Sequence, residues 1–438
     1  MGSLTGMLTP TVPSSELVPG ELQPDLGQAD LVQTGVEEAD LALLTGPEAG
    51  GLLRAVLAAE SVELVEWSTH RVHHRPGVGV TVGWPVRWRT GTVVAEDYLL
   101  GTTAPVPPSA ALLEVQAGDR SVHVWRHPAD PALPGLAAAS SPTSLSALLG
   151  VPVTGLELLT YRPLRRAVLR VAATTPSGPV TSYVKVVRPH TADGLVERHA
   201  LLRAAGLPVA RLRDLGDGVL VLDALPGAPL TEAFATDGAA QVDPGVVLDV
   251  LDRLPAATLD LPRRPSWAER VTHHASAAAA AHPARAEEIL ALGAAIDRLV
   301  RATDPGPVVP THGDLHEANL LMDGGRLVGL LDVDSLGPGH RVDDLACLLG
   351  HVSVLSAVAP DVHRHVPLQL PRWETRLGAG VDPVALRARA AAVALSLVAG
   401  ARTEGDWLAD ADGRVDAAWR WWASAHAAAS VGGPDAPP

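Results

Sequence analysis

Asp314 and Asn319 stand with four residues between them in the stretch Thr311-His312-Gly313-Asp314-Leu315-His316-Glu317-Ala318-Asn319, and Leu330-Leu331-Asp332-Val333-Asp334 follows shortly after. These residue types at that spacing suit phosphoryl transfer. In that chemistry an aspartate orients the attacking hydroxyl and accepts its proton, while an Asn and a second Asp hold Mg²⁺ on the phosphates. A hard cation takes oxygen ligands, and Asn319 with Asp332 leaves room for water and phosphate oxygens. The residues between them turn at Asp323-Gly324-Gly325, a hairpin signal.

Two residue types are nearly absent from the 438-residue chain. Of its 34 Lys+Arg only Lys185 is lysine, and Asn319 is the sole asparagine. A composition that writes arginine wherever a cation will do keeps lysine where a compact ammonium is needed and a planar fork does not serve. The remaining composition excludes function classes. A formal charge of −15 repels nucleic-acid backbones. The single cysteine, Cys347, forbids an intrachain disulfide and fits a reducing compartment. The longest apolar stretch, Ala390 to Ala401, is broken by Ser396 and Gly400 and is too short to span a membrane. No basic residue precedes Arg54, so a signal-peptide start is not expected. The expectation is a soluble cytoplasmic protein, with its oligomeric state left open.

Several elements must position these residues. Residues 1–48 read as a loose leader, and 49–127 as a small α+β module in which one helix precedes an antiparallel meander whose last hairpin turns at Gly118-Asp119. Residues 128–142, rich in Pro, Ala and Ser, read as a linker. A sheet region over 143–229 has strands near 156–161, 167–173 and 181–187, with Lys185 on the third, then a helix over 192–205 ending at Gly206 and two further strands. From 230 to 430 the chain is helical, apart from the strand-like island at 320–333, and 431–438 reads as a disordered tail.

The motif His312-Gly313-Asp314-x-His316-x-x-Asn319, followed by a hydrophobic strand ending in Asp332-x-Asp334, resembles the aminoglycoside phosphotransferase and choline kinase family, over about residues 150–430. The resemblance implies an α+β, protein-kinase-like bilobal fold and ATP-dependent transfer of the γ-phosphate, with Mg²⁺, to a small-molecule hydroxyl. It implies Asp314 as base, Asn319 and Asp332 as magnesium ligands, Lys185 on the nucleotide phosphates, Glu197 as its helix partner, and Leu222-Asp223-Ala224-Leu225 as the hinge beside adenine. The N-terminal module resembles, in layout only, the cap of maltose and glucosamine kinases, which favours a sugar or metabolite hydroxyl over a drug-resistance substrate; the acceptor expected is a hydroxyl of a sugar, amino sugar or amino alcohol. The segment Arg341-Val342-Asp343-Asp344-Leu345 resembles the family's post-metal stretch, where an Asp acts structurally at a helix start; no catalytic role is expected of Asp343.

Other residues leave alternatives open. His312 is expected to organise the loop, His316 is either structural or substrate-facing, and Asp334 either assists the metal or caps a turn. Cys347 reads as a small core residue. The turn Tyr161-Arg162-Pro163-Leu164-Arg165-Arg166 lacks the glycines that would let backbone N–H groups wrap phosphate, so its arginines are either side-chain phosphate ligands or a solvated basic turn. Trp373, Glu374, Asp406, Trp407, Asp410 and Asp412 could hold a cationic amine or a sugar face, or be core indoles and surface charge. The rival to the enzyme is a pseudokinase or peptide-binding scaffold.

Overall fold

Alternating β-branched and polar residues make 63–126 an antiparallel sheet in the computed structural model, which describes residues 34–75, 78–401 and 407–431. Its strands are β1 (Glu63–Trp67), β2 (Arg71–Arg75), β3 (Gly79–Thr90), β4 (Val93–Thr102), β5 (Leu113–Ala117) and β6 (Arg120–Arg126), in the order β1-β3-β4-β6-β5 with β2 also on β3. Ala117 faces Arg120 across the two-residue Gly118-Asp119 turn, with Gly118 at φ 65°. Helices α1 (Thr34–Thr45) and α2 (Ala49–Ala59) cover one face, burying Leu44, Leu53 and Leu57 against Val80, Val82 and Trp84. Of the expected leader, residues 34–48 are described and 34–45 are helical: a helix this short is held by burying Leu43 and Leu44, and by the Trp84 indole N–H donating to Leu44 O at 3.1 Å. Residues before 34 and after 431 lie outside the described residues.

The Pro- and Ser-rich stretch at 128–142 is packed. Leu133, Leu136 and Ala139 are buried, Leu136–Ala139 forms the short helix α3, and Ser141 caps α4 (Pro142–Leu149) by accepting from Ser144 N–H at 3.2 Å. Asp130 anchors the stretch, accepting from the Tyr161 hydroxyl at 2.8 Å, Leu164 N–H at 2.8 Å and Ala132 N–H at 2.9 Å. Proline breaks the periodicity that would have announced this burial.

The second sheet carries Lys185. Strands β7 (Val153–Arg162), β8 (Arg166–Thr175), β9 (Gly178–Val187), β10 (Leu212–Asp214) and β11 (Val219–Asp223) pair antiparallel in the order β10-β11-β9-β8-β7. Leu169, Val171, Val184, Val186 and Val221 face α3 and α4, whereas Val187 and Leu220 pack on Ala192 and Leu195 of α5 (Pro189–Ala204). Lys185 lies opposite Leu220 and two residues before Val187, so it shares the α5 face.

Among the described residues the chain divides into two units. One comprises 34–196 and 212–224; the other takes 197–211 and everything from 225, so the C-terminal part of α5 belongs with the helices rather than with the sheet. The second unit contains β12 (Ala228–Pro229), α6 (Leu230–Asp237), α7 (Gly245–Asp252), α8 (Val271–Ala281), α9 (Ala286–Ala302), β13 (Val308–Thr311), β14 (Leu320–Asp323), β15 (Arg326–Leu330), β16 (Gly337–His340), α10 (Arg341–Val358), α11 (Val366–Leu377), α12 (Pro383–Ser396) and α13 (Trp407–Val431). A sheet lobe followed by a helical lobe is the expected α+β, protein-kinase-like class. Counted from Pro383 to Gly400, the apolar run does reach the length and apolarity of a membrane span, but 72% of it is buried, where α12 packs against α10 and α13.

Candidate active site

Two small antiparallel pairs shape the loop. Thr311 at the end of β13 pairs with Gly337 at the start of β16, fixing where the loop begins. The β14–β15 hairpin turns at Gly324-Gly325, both in the left-handed region, and its open end pairs Leu320 with Leu330. Leu331 N–H then donates to Asn319 O at 2.9 Å. Asn319 and Asp332 therefore leave the same end of one hairpin. Asp332 itself is left-handed at φ 47°, ψ 57°, a strained conformation for a residue with a Cβ and typical of functional positions.

The loop's main chain is clamped from below. Asp344, in the first turn of α10, accepts from His312 N–H through Oδ2 and from Gly313 N–H through Oδ1, each at 2.8 Å. Gly313 has φ 80°, and a Cβ there would meet Ser335 O at 2.5 Å. His312 receives Asp314 N–H on Nδ1 at 3.3 Å, so its Nε2–H donates to Leu331 O at 2.9 Å, linking the loop to the residue before Asp332. Burial keeps this imidazole neutral, although Asp314, Asp332 and Asp334 all act on it electrostatically. His312 organises the loop as expected. The buried Asn319 amide donates to Asp314 O at 3.0 Å and to His316 Nε2 at 2.9 Å. With its NH₂ so used, Oδ1 is the atom it offers a cation. Asn319 Oδ1 and the Asp332 carboxylate are hard oxygen donors and fit magnesium.

The structure thus gathers Asp314, Asn319 and Asp332, with Asp334 beside them, in one unit. Lys185 is half-buried on β9, and Asp223 is exposed at the end of β11, both in the other unit. Asp223 and Ala224 line a cavity of about 510 Å³ with Leu149, Thr181, Ser182 and Arg213. Leu225 is half-buried in the second unit. Glu197 is exposed on α5; its neighbour Arg198 is buried and donates to Leu336 O at 3.1 Å.

The clamp itself was only half visible in the sequence. The 341–345 segment reads as structural without saying which acid acts: Asp344 holds the loop, and Asp343 lies 3.2 Å from Arg389 in an ion pair. Nothing in the sequence pointed to His351 of α10, whose ring stacks on His316 at 4.6 Å.

Cys347 is buried, and burial holds its thiol well above the usual range, as befits a core residue. In the 161–166 turn, Arg162 is buried, and Leu164, at φ 64°, is packed against Leu100, Trp125 and Ala132. That turn is pinned from the N-terminal module. Of the acceptor candidates, Trp373 is fully buried against Phe234, Glu374 bonds Arg387 at 2.6 Å, Asp410 bonds Arg414 at 2.7 Å, and Asp412 bonds His282 at 2.9 Å. Asp406 and the Trp407 side chain lie outside the described residues.

Solved structures similar to the chain include a thermostable mutant of aminoglycoside phosphotransferase APH(4)-Ia (16% identity, covering 67% of this chain and 100% of that one, TM-score 0.41). Spectinomycin phosphotransferase APH(9)-Ia is 13% identical (64% and 98%, TM-score 0.44). Plasmodium vivax ethanolamine kinase is 11% identical (60% and 82%, TM-score 0.38). No curated protein matches the chain. Residues 162–366 match the family described as phosphotransferase enzyme family (APH). That match spans the segment carrying Lys185, the Asp314 loop and the Asp332 hairpin, a little under half of the chain.

Proposed function

We propose that the protein transfers the γ-phosphate of ATP to a hydroxyl of a sugar, amino sugar or amino alcohol. The observation that carries this reading is the common origin of Asn319 and Asp332 at one hairpin end, beside a clamped loop presenting Asp314. Asp314 accepts the proton of the acceptor hydroxyl as the hydroxyl oxygen attacks phosphorus. Asn319 and Asp332 hold magnesium, which supplies charge neutralisation on the phosphates. Lys185 places a compact positive charge on the phosphates, and Asp223 with Leu225 borders the adenine.

The test is ADP release with ATP and Mg²⁺ across a panel of sugars, amino sugars and amino alcohols, with Asp314→Ala as control. One class of acceptor should stimulate release. The variant should keep ATP binding and lose about 10²–10⁴-fold in turnover. Substantial residual turnover would refute Asp314 as base. Absence of any thermal shift with nucleotide would leave the scaffold reading in its place.

A further inference from the structure

Two residues of the Asp314 loop and one of α10 form a second cluster to which the proposed phosphotransfer assigns no direct contact with substrate. His316, Glu317 and His351 are all buried, and one donor atom of each lies within 4.8 Å of the others. Three of their atoms, His316 Nδ1, Glu317 Oε2 and His351 Nε2, have no hydrogen-bond partner among the described residues. A buried carboxylate oxygen and two buried ring nitrogens without partners each carry a desolvation cost that native structures rarely leave uncompensated. Two imidazoles and a carboxylate form a donor set that suits zinc and similar transition metals, and the nitrogens disfavour magnesium.

We propose that His316, Glu317 and His351 form a binding site for a divalent transition metal of the zinc class, and that metal there opposes the catalytic geometry. The second half rests on the phosphotransfer reading above and follows from the bond between Asn319 Nδ2 and His316 Nε2. Asn319 Nδ2 also donates to Asp314 O, so it is the nitrogen of the amide and Nε2 must accept. Metal on His316 Nδ1 moves the ring proton from Nδ1 to Nε2, which then faces a second donor. Metal on Nε2 occupies the lone pair that Asn319 uses. Either way Asn319 loses the bond that orients it, and its oxygen leaves the magnesium position.

The test uses the full chain, stripped with a chelator and then dialysed against Zn²⁺ or Co²⁺. Wild type should retain one Zn²⁺ per chain by elemental analysis and show visible Co²⁺ absorption bands of nitrogen and oxygen ligation. The near-isosteric Glu317→Gln, and separately His351→Gln, should lose stoichiometric uptake because each removes one of the three donors, with folding checked by circular dichroism. No stoichiometric uptake, or equal uptake by all three proteins, overturns the site. In a second arm, Zn²⁺ added at saturating Mg²⁺ should inhibit wild type and spare Glu317→Gln, each relative to its own zinc-free rate. Uptake without inhibition, or equal inhibition of both, overturns the antagonism. If no acceptor is ever phosphorylated, the functional reading fails, while the uptake arm still decides the metal site.

Discussion

Gly313 N–H lies 2.8 Å from Asp344 Oδ1, so the loop that presents Asp314 is held to helix α10 by its main chain. The second carboxylate oxygen takes His312 N–H at the same distance. Asp344→Asn keeps the shape but replaces one acceptor by an NH₂ group, leaving one buried loop amide facing a donor. The expected loss of stability is about 1–3 kcal/mol, with kcat falling more than KM rises. Calorimetry and steady-state kinetics check this; an unaltered kcat would show that the clamp does not set the loop's geometry.

The same carboxylate sets a pH dependence. Burial pushes Asp344 up from 3.8 to about 7, against the pull of its two amide donors, and Asp343 and Arg341 are the other charges acting on it. A carboxyl with a higher pKa folded than unfolded binds its proton more tightly in the folded state. Its contribution is full below about pH 4 and is lost as the pH rises through about 7, with a slope of at most about 1.4 kcal/mol per pH unit. Urea unfolding across that window should show a decline in wild type that Asp344→Asn lacks. Parallel curves would assign the slope to other groups.

The two ends of the clamp show what a sequence discloses. Asp314, Asn319 and Asp332 stand out in the sequence by residue type and spacing, and the structure brings Asn319 and Asp332 to one hairpin end; Lys185 stands out as the sole lysine and lies on the strand where alternation places it. The strands of both sheets were legible from alternation, with ends off by a few residues. Asp344 was not separable from Asp343, since only three-dimensional packing decides which of two adjacent acids points under a loop. β13 and β16 were invisible for a similar reason: four residues each, with Pro310, Gly337, Pro338 and Gly339 among them, become strands only by pairing with each other. Residues 128–142 read as a linker because burial there follows no period, although Leu133, Leu136 and Ala139 are buried.

Lys185 offers the sharpest substitution. It sits on β9 between Val168 and Leu220, and arginine preserves its charge while replacing a compact ammonium with a planar fork. Lys185→Arg is expected to lose at least about tenfold in kcat/KM for ATP, roughly 1.4 kcal/mol of transition-state binding. Wild-type kinetics in this variant would end the argument from the surviving lysine.

Asp130 supports a prediction about stability alone. Asp130→Ala strands the Tyr161 hydroxyl and the Leu164 and Ala132 amides in a buried site. At about 1–3 kcal/mol for each unsatisfied donor, the total should reach at least about 3 kcal/mol. Chemical denaturation measures it, and a change below about 0.5 kcal/mol would show that water replaces the carboxylate.

Leu133, Leu136, Ala139 and Leu145 form one wall of the core whose other wall is Leu169, Val171, Val184 and Val186. A domain cut free at residue 143 would lose Leu133, Leu136 and Ala139 and so expose part of that sheet face to water. The N-terminal module joins the same block through Leu100 and Trp125, which pack with Ala132 and Leu164, so it and the Lys185 sheet are expected to melt together as a single cooperative unit.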